Sequence, residues 1–556
     1  MTRTDTAVVG TLVVLLAIVA GLIGVPALQP QPSPSAVGAV PSSSPEASAT
    51  PTGPHPYREG VLGRPVSVSP LTAETQVDRD LVALVFSGLV RNGADGRVVP
   101  DLARDWSVDA DGTIWTVTLR DDARWQDDTP VTAGDVVYTV HTLQDPAYAG
   151  PAASSWDGVT VRAISDKVVS FTLKTPLAGF LQALTQPIAP AHLLADVPVS
   201  RLPDDAFGQH PVGSGPFSLV DLDGAKATLV PAPASTTAGL DGMELHFYAD
   251  PQRLAEDYRS GQLDGVSGLD ATQATDLGRT SGSQILRYPG STLTAVLLNL
   301  RPTHPEFASP AVRSALLQAI DVPAIASSAY GMSAVVATDP IPPSSPLFDA
   351  KADPPVAFNK KDATAALKKA DWTKKADGWY LPKAKQPLTL EIISPTAAAN
   401  PGLFAAAEAV AADWTDLGLT VTHSALPPGM YVSERLARGD FQVAVADLAI
   451  GLDPDLYPLL ASSQTVTGGS NIIGLQDPKL DKLLEAARAP ATDADHAAAY
   501  HALQTQLGKG RYVLPLVFAD EVVVARDALQ GPVVRQVADP SDRFWDVLTW
   551  RLADDP

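Results

Sequence analysis

The stretch LLNLRPTHPEFASPAVRSALLQAIDVPAI (residues 297–325) decides the fold. Residues 292–300, which lead into it, are apolar on both faces, as is typical of a buried strand. Ser309 offers a helix cap and Pro310 a first helical position. A second short helix is predicted to begin at Asp321. The apolar residues of the first helix recur at helical spacing and form one core-facing stripe: Val312, Ala315, Leu316, Ala319 and Ile320.

Length and charge limit the class of protein. The chain has 556 residues and 45% hydrophobic content, which predicts two or three domains with sizeable cores. Its net charge of −22 argues against a nucleic-acid partner, because little in it would neutralise phosphates. The absence of cysteine excludes disulfides, thiolate metal sites, a cysteine nucleophile and a lipid attached to an N-terminal cysteine.

The N-terminus contains a candidate membrane anchor. Residues 7–28 carry no charge over 22 positions, and at about 1.5 Å per residue they span roughly 33 Å, close to a hydrocarbon core. We favour an uncleaved single-pass anchor, and a cleaved signal peptide remains the alternative. Arg3 precedes the segment and no Lys or Arg follows before Arg58, so the N-terminus is predicted to be cytoplasmic and the bulk of the chain extracytoplasmic. Pro, Ser and Ala dominate the next residues, which predicts a disordered linker.

A second informative stretch is TIWTVTLRDDARWQDDTPVTAGDVVYTVHTLQDP (residues 113–146). Trp115, Val117 and Leu119 alternate with polar residues, which predicts a half-buried strand. Thr132 and Asp135 have the spacing of a capping box, so a helix should follow. A third stretch, VGSGPF (residues 212–217), is not a phosphate loop, because no G-K-[ST] follows it.

In their order along the chain (113–146, 212–217 and 297–325), these three stretches resemble the family 5 extracytoplasmic solute-binding proteins, the oligopeptide- and dipeptide-binding class of ATP-binding-cassette importers. The loop at residues 125–130 resembles the family's W-x-D-G-x-P motif, with Asp128 in place of glycine. The resemblance covers about residues 60–552. It implies an α/β fold with two lobes, of the periplasmic-binding-protein-like class II, large peptide-binding type, with a subdomain inserted in lobe I.

On this basis the chain divides into seven segments. They are an N-terminal transmembrane anchor or signal segment (1–28), a linker (29–59), the first part of lobe I (60–90), its inserted subdomain (91–210), the second part of lobe I (211–298), lobe II (299–522) and a return to lobe I (523–556). The closing run RFWDVLTWRL (residues 543–552) is predicted to form a final strand in lobe I.

The sequence contains no pattern typical of catalysis. It lacks G-x-S-x-G, H-E-x-x-H, a Walker loop and a dinucleotide fingerprint. The nine histidines are scattered, which favours structural roles over a zinc site. The pairs Asp127/Asp128 and Asp453/Asp455 could be carboxylates for acid–base work, but each lies beside a proline in a turn-like context that favours solvated loop residues. We predict no enzyme activity, no catalytic residue, no metal and no cofactor.

The resemblance also suggests ligand contacts. In peptide-binding relatives, an aspartate in a W-x-A-D-Y-x-[DE]-P segment pairs with the ligand's terminal ammonium. Here QVAVADLAIGLDPDLYPLL (residues 442–460) has Ala444 at the tryptophan position and three extra residues before the acid–proline pair. Asp447 is the first candidate and Asp453 the second, with a structural turn role open for each.

Further candidates lie elsewhere in the chain. Ser69, Gln76 and Asp78 are candidates for the cleft from their position in the family opening, with exposed loop positions as the alternative. Trp156 and Trp379 could stack on a ligand, although buried packing is the commoner role of tryptophan.

The resulting prediction is a monomeric, membrane-tethered, extracytoplasmic binding protein without chemistry of its own. It would capture a peptide or similar small solute by hinge closure and deliver it to the membrane permease of an importer. The alternative is a tethered sensor or cell-envelope interaction protein on the same fold, which the altered aspartate motif and the missing lipid-attachment cysteine keep open. An extracellular hydrolase has no supporting residues.

Overall fold

The computed structural model describes residues 55–150, 156, 158–235, 238–331, 333–466, 469–489 and 493–553. The predicted anchor and nearly all of the predicted linker lie outside these residues. In the described part of the chain, no helix combines the length and the apolarity needed to cross a membrane.

Helices are interspersed among runs of one to four strands along the chain. The strands are β1 (Tyr57–Leu62), β2 (Val90–Asn92), β3 (Val98–Pro100), β4 (Ala103–Val108), β5 (Ile114–Leu119), β6 (Thr160–Ser165), β7 (Val168–Thr172), β8 (Phe217–Leu222), β9 (Lys226–Pro231), β10 (Met243–Tyr248), β11 (Gly265–Val266), β12 (Ser283–Tyr288), β13 (Thr292–Leu298), β14 (Ala334–Val336), β15 (Thr373–Lys375), β16 (Gly378–Tyr380), β17 (Thr389–Pro395), β18 (Thr420–Leu426), β19 (Val443–Ala449), β20 (Val513–Ala519), β21 (Glu521–Arg526), β22 (Leu529–Gln530) and β23 (Arg551–Leu552). The α-helices are α1 (Gln76–Val85), α2 (Ala133–Leu143), α3 (Phe180–Ala183), α4 (Ala191–Leu194), α5 (Pro251–Arg259), α6 (Ala271–Leu277), α7 (Pro310–Gln318), α8 (Val322–Ile325), α9 (Lys360–Lys369), α10 (Pro401–Leu417), α11 (Tyr457–Leu460), α12 (Pro478–Arg488) and α13 (Asp493–Gly510).

Two large sheets define the two predicted lobes. The sheet of lobe I has seven strands in the order β12-β21-β11-β1-β10-β9-β8. The sheet of lobe II has six strands in the order β14-β20-β13-β19-β17-β18. The four-stranded sheet β4-β5-β7-β6 is a separate layer inserted in lobe I. The mixed α/β, two-lobe architecture predicted from the sequence is confirmed.

Lobe II is built around β13, as its sequence predicts. The strand lies between β19 and β20 and is buried along nearly its whole length. Its alternate residues enter two different cores: Leu293, Ala295 and Leu297 on one face, Val296 and Leu298 on the other. Helix α7 packs on the second face through the predicted stripe. Asp321 caps α8 by accepting a bond from the Ala324 N–H at 3.1 Å, whereas the Ser309 side chain makes no capping bond to α7.

The inserted layer also follows its sequence pattern. Trp115, Val117 and Leu119 are buried on one face of β5. Thr132 and Asp135 form the predicted capping box at the start of α2. Asp128 has a φ of +70°, a left-handed conformation that favours glycine, which accounts for the glycine in the family motif at this position.

Three predicted boundaries require correction. Strand β13 belongs to lobe II and not to lobe I, because it pairs with β19 and β20; the chain therefore crosses at residues 289–291, before the predicted crossing at 298/299. The return crossing is at Asp520, between β20 of lobe II and β21 of lobe I. Strand β1 begins at Tyr57, inside the predicted linker.

The C-terminal segment is a further correction. The run RFWDVLTWRL is predicted to be a final strand, but Pro540–Thr549 forms two short 3-10 helices with a kink at Asp546, and only Arg551–Leu552 is extended. Asp539 and Asp542 form a capping box that starts the first of these helices. Phe544 and Val547 then lie three residues apart and are both buried, which is a helical and not a strand spacing.

Candidate functional site

A cavity of about 320 Å³ lies between the two lobes. Lobe II contributes the loop after β19, and lobe I contributes the segment around α3 together with one C-terminal residue. The lining residues are Trp156, Leu177, Gly179, Gln182, Ala183, Thr185, Gln186, Pro187, Ile450, Gly451, Leu452, Asp453, Asp455 and Ala538. Within the described residues, no lysine or arginine lines the cavity. It is therefore an apolar chamber with amide, hydroxyl and carboxylate groups, the composition expected of a small-molecule site.

The lobes touch each other beside this cavity. A Cβ atom at Gly179 would lie 2.1 Å from Oδ2 of Asp453, so the lobe II carboxylate lies directly against the lobe I backbone. The N–H of Ala178 donates to the carbonyl of Arg488 across the same boundary at 3.0 Å. Gly179 has an ordinary φ of −72°, which any residue can adopt. Glycine is therefore needed here to let Asp453 approach closely, and not for a special backbone conformation. The structure thus has its lobes in contact at this edge.

Asp453 is the more weakly compensated carboxylate of the cavity. Tyr500 donates its hydroxyl to Oδ1 at 3.3 Å, and Oδ2 accepts no hydrogen bond from the residues that the structure describes. Burial, followed by the nearby charge of Asp455, raises the pKa of Asp453 to about 6. A carboxylate in this state gains from a cation placed against it.

Asp455, two residues on, is balanced within the protein. Its Oδ2 lies 2.9 Å from Nε of Arg488, and its Oδ1 accepts the N–H of Tyr457 at 3.0 Å. The guanidinium of Arg488 also lies 4.4 Å from the centre of the Tyr457 ring. Burial still raises the pKa of Asp455, and Arg488 opposes that shift. Asp455 therefore shapes the cavity wall, and Asp453 is left as its main unbalanced charge.

Asp447 lies away from the cavity. It is on the face of β19 shared with Val443 and Val445, which enter the core of α7 and α10. Its carboxylate accepts the Thr294 hydroxyl at 2.6 Å and the Asn400 amide at 3.4 Å. Burial raises its pKa, and these two donors oppose the shift.

The three lobe I candidates are engaged within lobe I. The carboxylate of Asp78 is fully buried and accepts four backbone N–H bonds, from Val66, Ser67, Glu74 and Thr75. The amide of Gln76 donates to Asp80 and Asp539. Ser69 is buried and accepts the N–H of Leu71 at 3.4 Å. None of the three lines the cavity.

The two tryptophans differ in position. Trp156 lines the cavity and packs against Phe171 and Phe180 with ring centroids 6.0 Å apart in each case. Trp379 is buried in the α7–α10 core and donates its indole N–H to the carbonyl of Leu417 at 3.1 Å.

Most of the cavity wall that lobe I supplies carries no recognisable sequence signal. Gly179, Gln182 and Gln186 belong to no recognisable motif, and a glycine required by a contact with a residue 274 positions away leaves no local signal. Arg488 could have been suspected only as a basic residue in the last turn of a helix. In the described part of the chain, no three histidine, aspartate or glutamate side chains are grouped so as to hold a metal ion.

The fold and this cavity together define a two-lobe solute-binding protein. Comparison with known proteins identifies its family. The model of the family described as "Bacterial extracellular solute-binding proteins, family 5 Middle" matches residues 97–471, more than half of the chain. The chain belongs to this family.

Curated relatives agree with that assignment, and a solved structure shares the fold. Protein XP55 of Streptomyces lividans is 28% identical over 489 residues, which cover 85% of this chain and 85% of that protein. The nickel-binding periplasmic protein of Escherichia coli K12 is 25% identical over 487 residues, covering 84% and 90%. The oligopeptide-binding protein AppA of Bacillus subtilis, solved with a nonapeptide, has the same fold, with a TM-score of 0.71 at 20% identity and coverage of 90% and 100%.

Family membership confirms the predicted role. The chain is the extracytoplasmic solute-binding component of an ATP-binding-cassette importer, and its membrane partner is the importer's permease. Proteins of this family bind solutes and do not transform them, so the chain is not an enzyme.

Proposed function

We propose that the chain captures a short peptide, or a similar small solute with a free amino group, in the cavity between its lobes. The observation that carries this proposal is the unbalanced carboxylate of Asp453 in a chamber that no lysine or arginine of the described chain lines. An ammonium group would complete the hydrogen bonding of Oδ2, and a charge-assisted bond in such a site is strong. The rest of the ligand would contact apolar walls and the amides of Gln182 and Gln186.

Of the two candidate aspartates, we propose Asp453 as the amine contact. It lines the cavity, whereas Asp447 faces the other side of the lobe II sheet and already receives two side-chain donors. We assign Ser69, Gln76 and Asp78 to the support of lobe I, because their polar atoms bind other parts of that lobe.

The cavity's size limits the ligand. A volume of about 320 Å³ is near the lower end of the range of roughly 300–1,000 Å³ found for small-molecule pockets. The contact between Gly179 and Asp453 also closes the cavity at one edge. Both features favour a short ligand whose amino end lies at Asp453.

Capture would work by a shift between open and closed lobes. A ligand favours the closed form only if it contacts both sides, and the loop at residues 450–455 and the segment at residues 177–187 supply the two sides. We further propose that residues 7–28 anchor the chain, as a monomer, at the outer face of the cell membrane.

Native mass spectrometry of the full chain, purified from its own host, is the direct test of ligand class. We expect a small amine-bearing solute to come off on denaturation. A set of dipeptides should raise the melting temperature, and their N-acetyl derivatives should not, because acetylation removes the cation. Asp453→Asn should abolish the shift.

The matched control for this variant is Asp440→Asn, since that side chain is also on lobe II and is 81% exposed. It should leave the shift unchanged. An empty protein that no dipeptide stabilises, or one that N-acetyl dipeptides stabilise equally well, would contradict the proposal. Membrane flotation of the full chain against a variant lacking residues 1–28 tests the anchor separately.

A further inference from the structure

Lysine is distributed very unevenly along the chain. Of fifteen lysines, eight lie in the 26 residues 360–385, and no arginine accompanies them there. Three aspartates fall in the same segment, so its formal charge is +5, in a chain whose net charge is −22. We call these eight residues the lysine patch: Lys360, Lys361, Lys368, Lys369, Lys374, Lys375, Lys383 and Lys385.

Most of the lysine patch is exposed and free of ion pairs. Lys361, Lys368 and Lys369 lie on the solvent face of α9, opposite the buried Ala363 and Leu367. In the described part of the chain, Lys360 is the patch's one lysine with a carboxylate partner; it pairs with two aspartates of α10, at 3.1 Å each. The fold engages Lys374, which donates to the carbonyl of Leu417 at 2.7 Å, and Lys375, which lies over the Tyr380 ring. Mutual repulsion among the other unpaired cations is unfavourable for the fold.

An exposed aromatic residue adjoins the patch. Phe358, immediately before α9, is 40% exposed, and the Nζ atom of Lys360 lies 5.3 Å from its ring centre. Lysines around an exposed aromatic side chain are typical of surfaces that lie on a lipid interface, where the ring enters the headgroup boundary and the amines meet anionic groups.

The patch lies on the opposite side of the lobe II sheet from the cavity. Leu367 and Trp379, which support α9 and the β15–β16 hairpin, belong to the core of α7 and α10. Ile450 of the cavity wall belongs to the core on the other face. A partner on the patch would therefore leave the cavity free.

We propose that the lysine patch docks lobe II on the anionic phospholipid headgroups of the membrane. The absence of arginine favours a diffuse charged surface over a partner recognised by bidentate pairs, because lysine acts as a hydrated point charge. Lysines near an anionic membrane each strengthen binding by a factor of about five. This inference goes beyond solute capture and does not depend on it.

The test uses the full chain, which contains no cysteine, so that one introduced cysteine carries a fluorophore without background. Ala365→Cys places the probe on the exposed face of α9, and Ala498→Cys places it on the exposed face of α13. The protein is added to vesicles of phosphatidylcholine alone, or with an equal amount of phosphatidylglycerol, with a quencher on the lipid. We expect quenching at residue 365 on the anionic vesicles only, and its loss at 1 M salt, where the Debye length is about 3 Å.

Charge variants decide whether the patch is responsible. The triple change of Lys361, Lys368 and Lys369 to Gln should lower the ratio of docked to free lobes at least tenfold, since three lysines at about fivefold each give roughly a hundredfold. The control changes the exposed Lys479, Lys482 and Lys509 of the same lobe to Gln, with the same loss of charge. Equal quenching on neutral vesicles, or an equal effect of both triple variants, would overturn the proposal. If residues 7–28 do not anchor the chain, the protein would no longer float with the vesicles at 1 M salt, which is a separate result from the loss of quenching.

Discussion

The interior of lobe I and the cavity between the lobes both contain carboxylates with little access to water, but they compensate them differently. In lobe I, the guanidinium of Arg543 lies 2.8 Å from Glu59 and 2.7 Å from Asp80, and all three side chains are almost fully buried. Burial raises the pKa of Asp80 and Arg543 opposes the shift. Both carboxylates bind the same cation, so each has a charged partner within the protein.

At the cavity the one arginine contacts only one of the two carboxylates. Arg488 pairs with Asp455, whereas among the described residues Asp453 receives one hydrogen bond, from the hydroxyl of Tyr500, and feels Arg488 and His496 only through space. Burial of an uncompensated charge is unfavourable, and a protein retains such a group where a ligand compensates it. Direct contact with a cation, more than burial itself, therefore distinguishes the lobe I carboxylates from Asp453, the carboxylate that we propose as the ligand contact.

The largest effect is expected from removing the shared cation of the lobe I cluster. Arg543→Met removes the cation and leaves Glu59 and Asp80 buried together, which should lower the free energy of unfolding by about 3–5 kcal/mol. Urea denaturation, with hydrogen exchange at β1, measures it. Arg435→Met, which removes a more exposed pair with Glu391, should cost less than about 1 kcal/mol. Equal losses for the two variants would mean that the cluster is not special.

The next effect concerns the close approach at the cavity. Gly179→Ala would place a methyl group 2.1 Å from Oδ2 of Asp453 in the closed form, while its φ of −72° is acceptable to alanine. Overpacking of this kind costs about 1–3 kcal/mol, so ligand affinity should fall roughly five- to 150-fold, with little loss of stability in the open form. Calorimetric titration with the co-purified solute measures this. Gly239→Ala, close to the Trp550 carbonyl within lobe I, is the control; it should lower stability rather than affinity.

A smaller effect is expected from pH. Because the pKa of Asp453 is raised to about 6, its negative charge is present above that pH and lost as the pH falls through it. An amine-bearing ligand should therefore bind about tenfold more weakly at pH 5 than at pH 7.5. The folded-state pKa also exceeds the unfolded value of about 4, so ionisation destabilises the unliganded protein as the pH rises between about 4 and 6.

Asp453→Asn removes the group that titrates and should abolish both pH dependences. Affinity measured across that range for the variant should be low and flat, and melting of the unliganded variant should lose the decline between about pH 4 and 6. A variant that keeps the steep dependence of the unaltered chain would assign the titration to another group, such as Asp455.

The sequence predicted what local spacing determines. The two apolar faces of β13, the stripe of α7 and the capping box of Thr132 and Asp135 are each set by neighbours in the chain, and the structure has all three. The two lobes followed from resemblance, and family membership confirms it. The strand predicted for RFWDVLTWRL was wrong, because a capping box at Asp539 starts a helix despite the strand propensity of the aromatic and β-branched residues that follow.

The cavity was less predictable because its walls come from distant parts of the chain. Gly179 and Asp453 meet only after both lobes are folded and closed. Successive residues of a strand face opposite sides of the sheet. A shift of one residue in the position of β19 would therefore turn Asp447 to the other side. On the proposed function, the insertion within the aspartate motif places the amine-binding carboxylate in the loop that follows the strand.

The smallest effect on ligand affinity is expected at Asp447. Asp447→Asn keeps the shape of a side chain that already receives Thr294 and Asn400, and burial raises the pKa of the carboxylate that it replaces. An amide can still accept the Thr294 hydroxyl, so we expect ligand affinity to change by less than about twofold. Titration of this variant beside Asp453→Asn, under the same conditions, measures the difference. If the Asp447 variant instead loses binding while the Asp453 variant retains it, the amine contact lies on the α10 side of the sheet. The lack of a cation beside Asp453 would then not identify the carboxylate that binds the ligand.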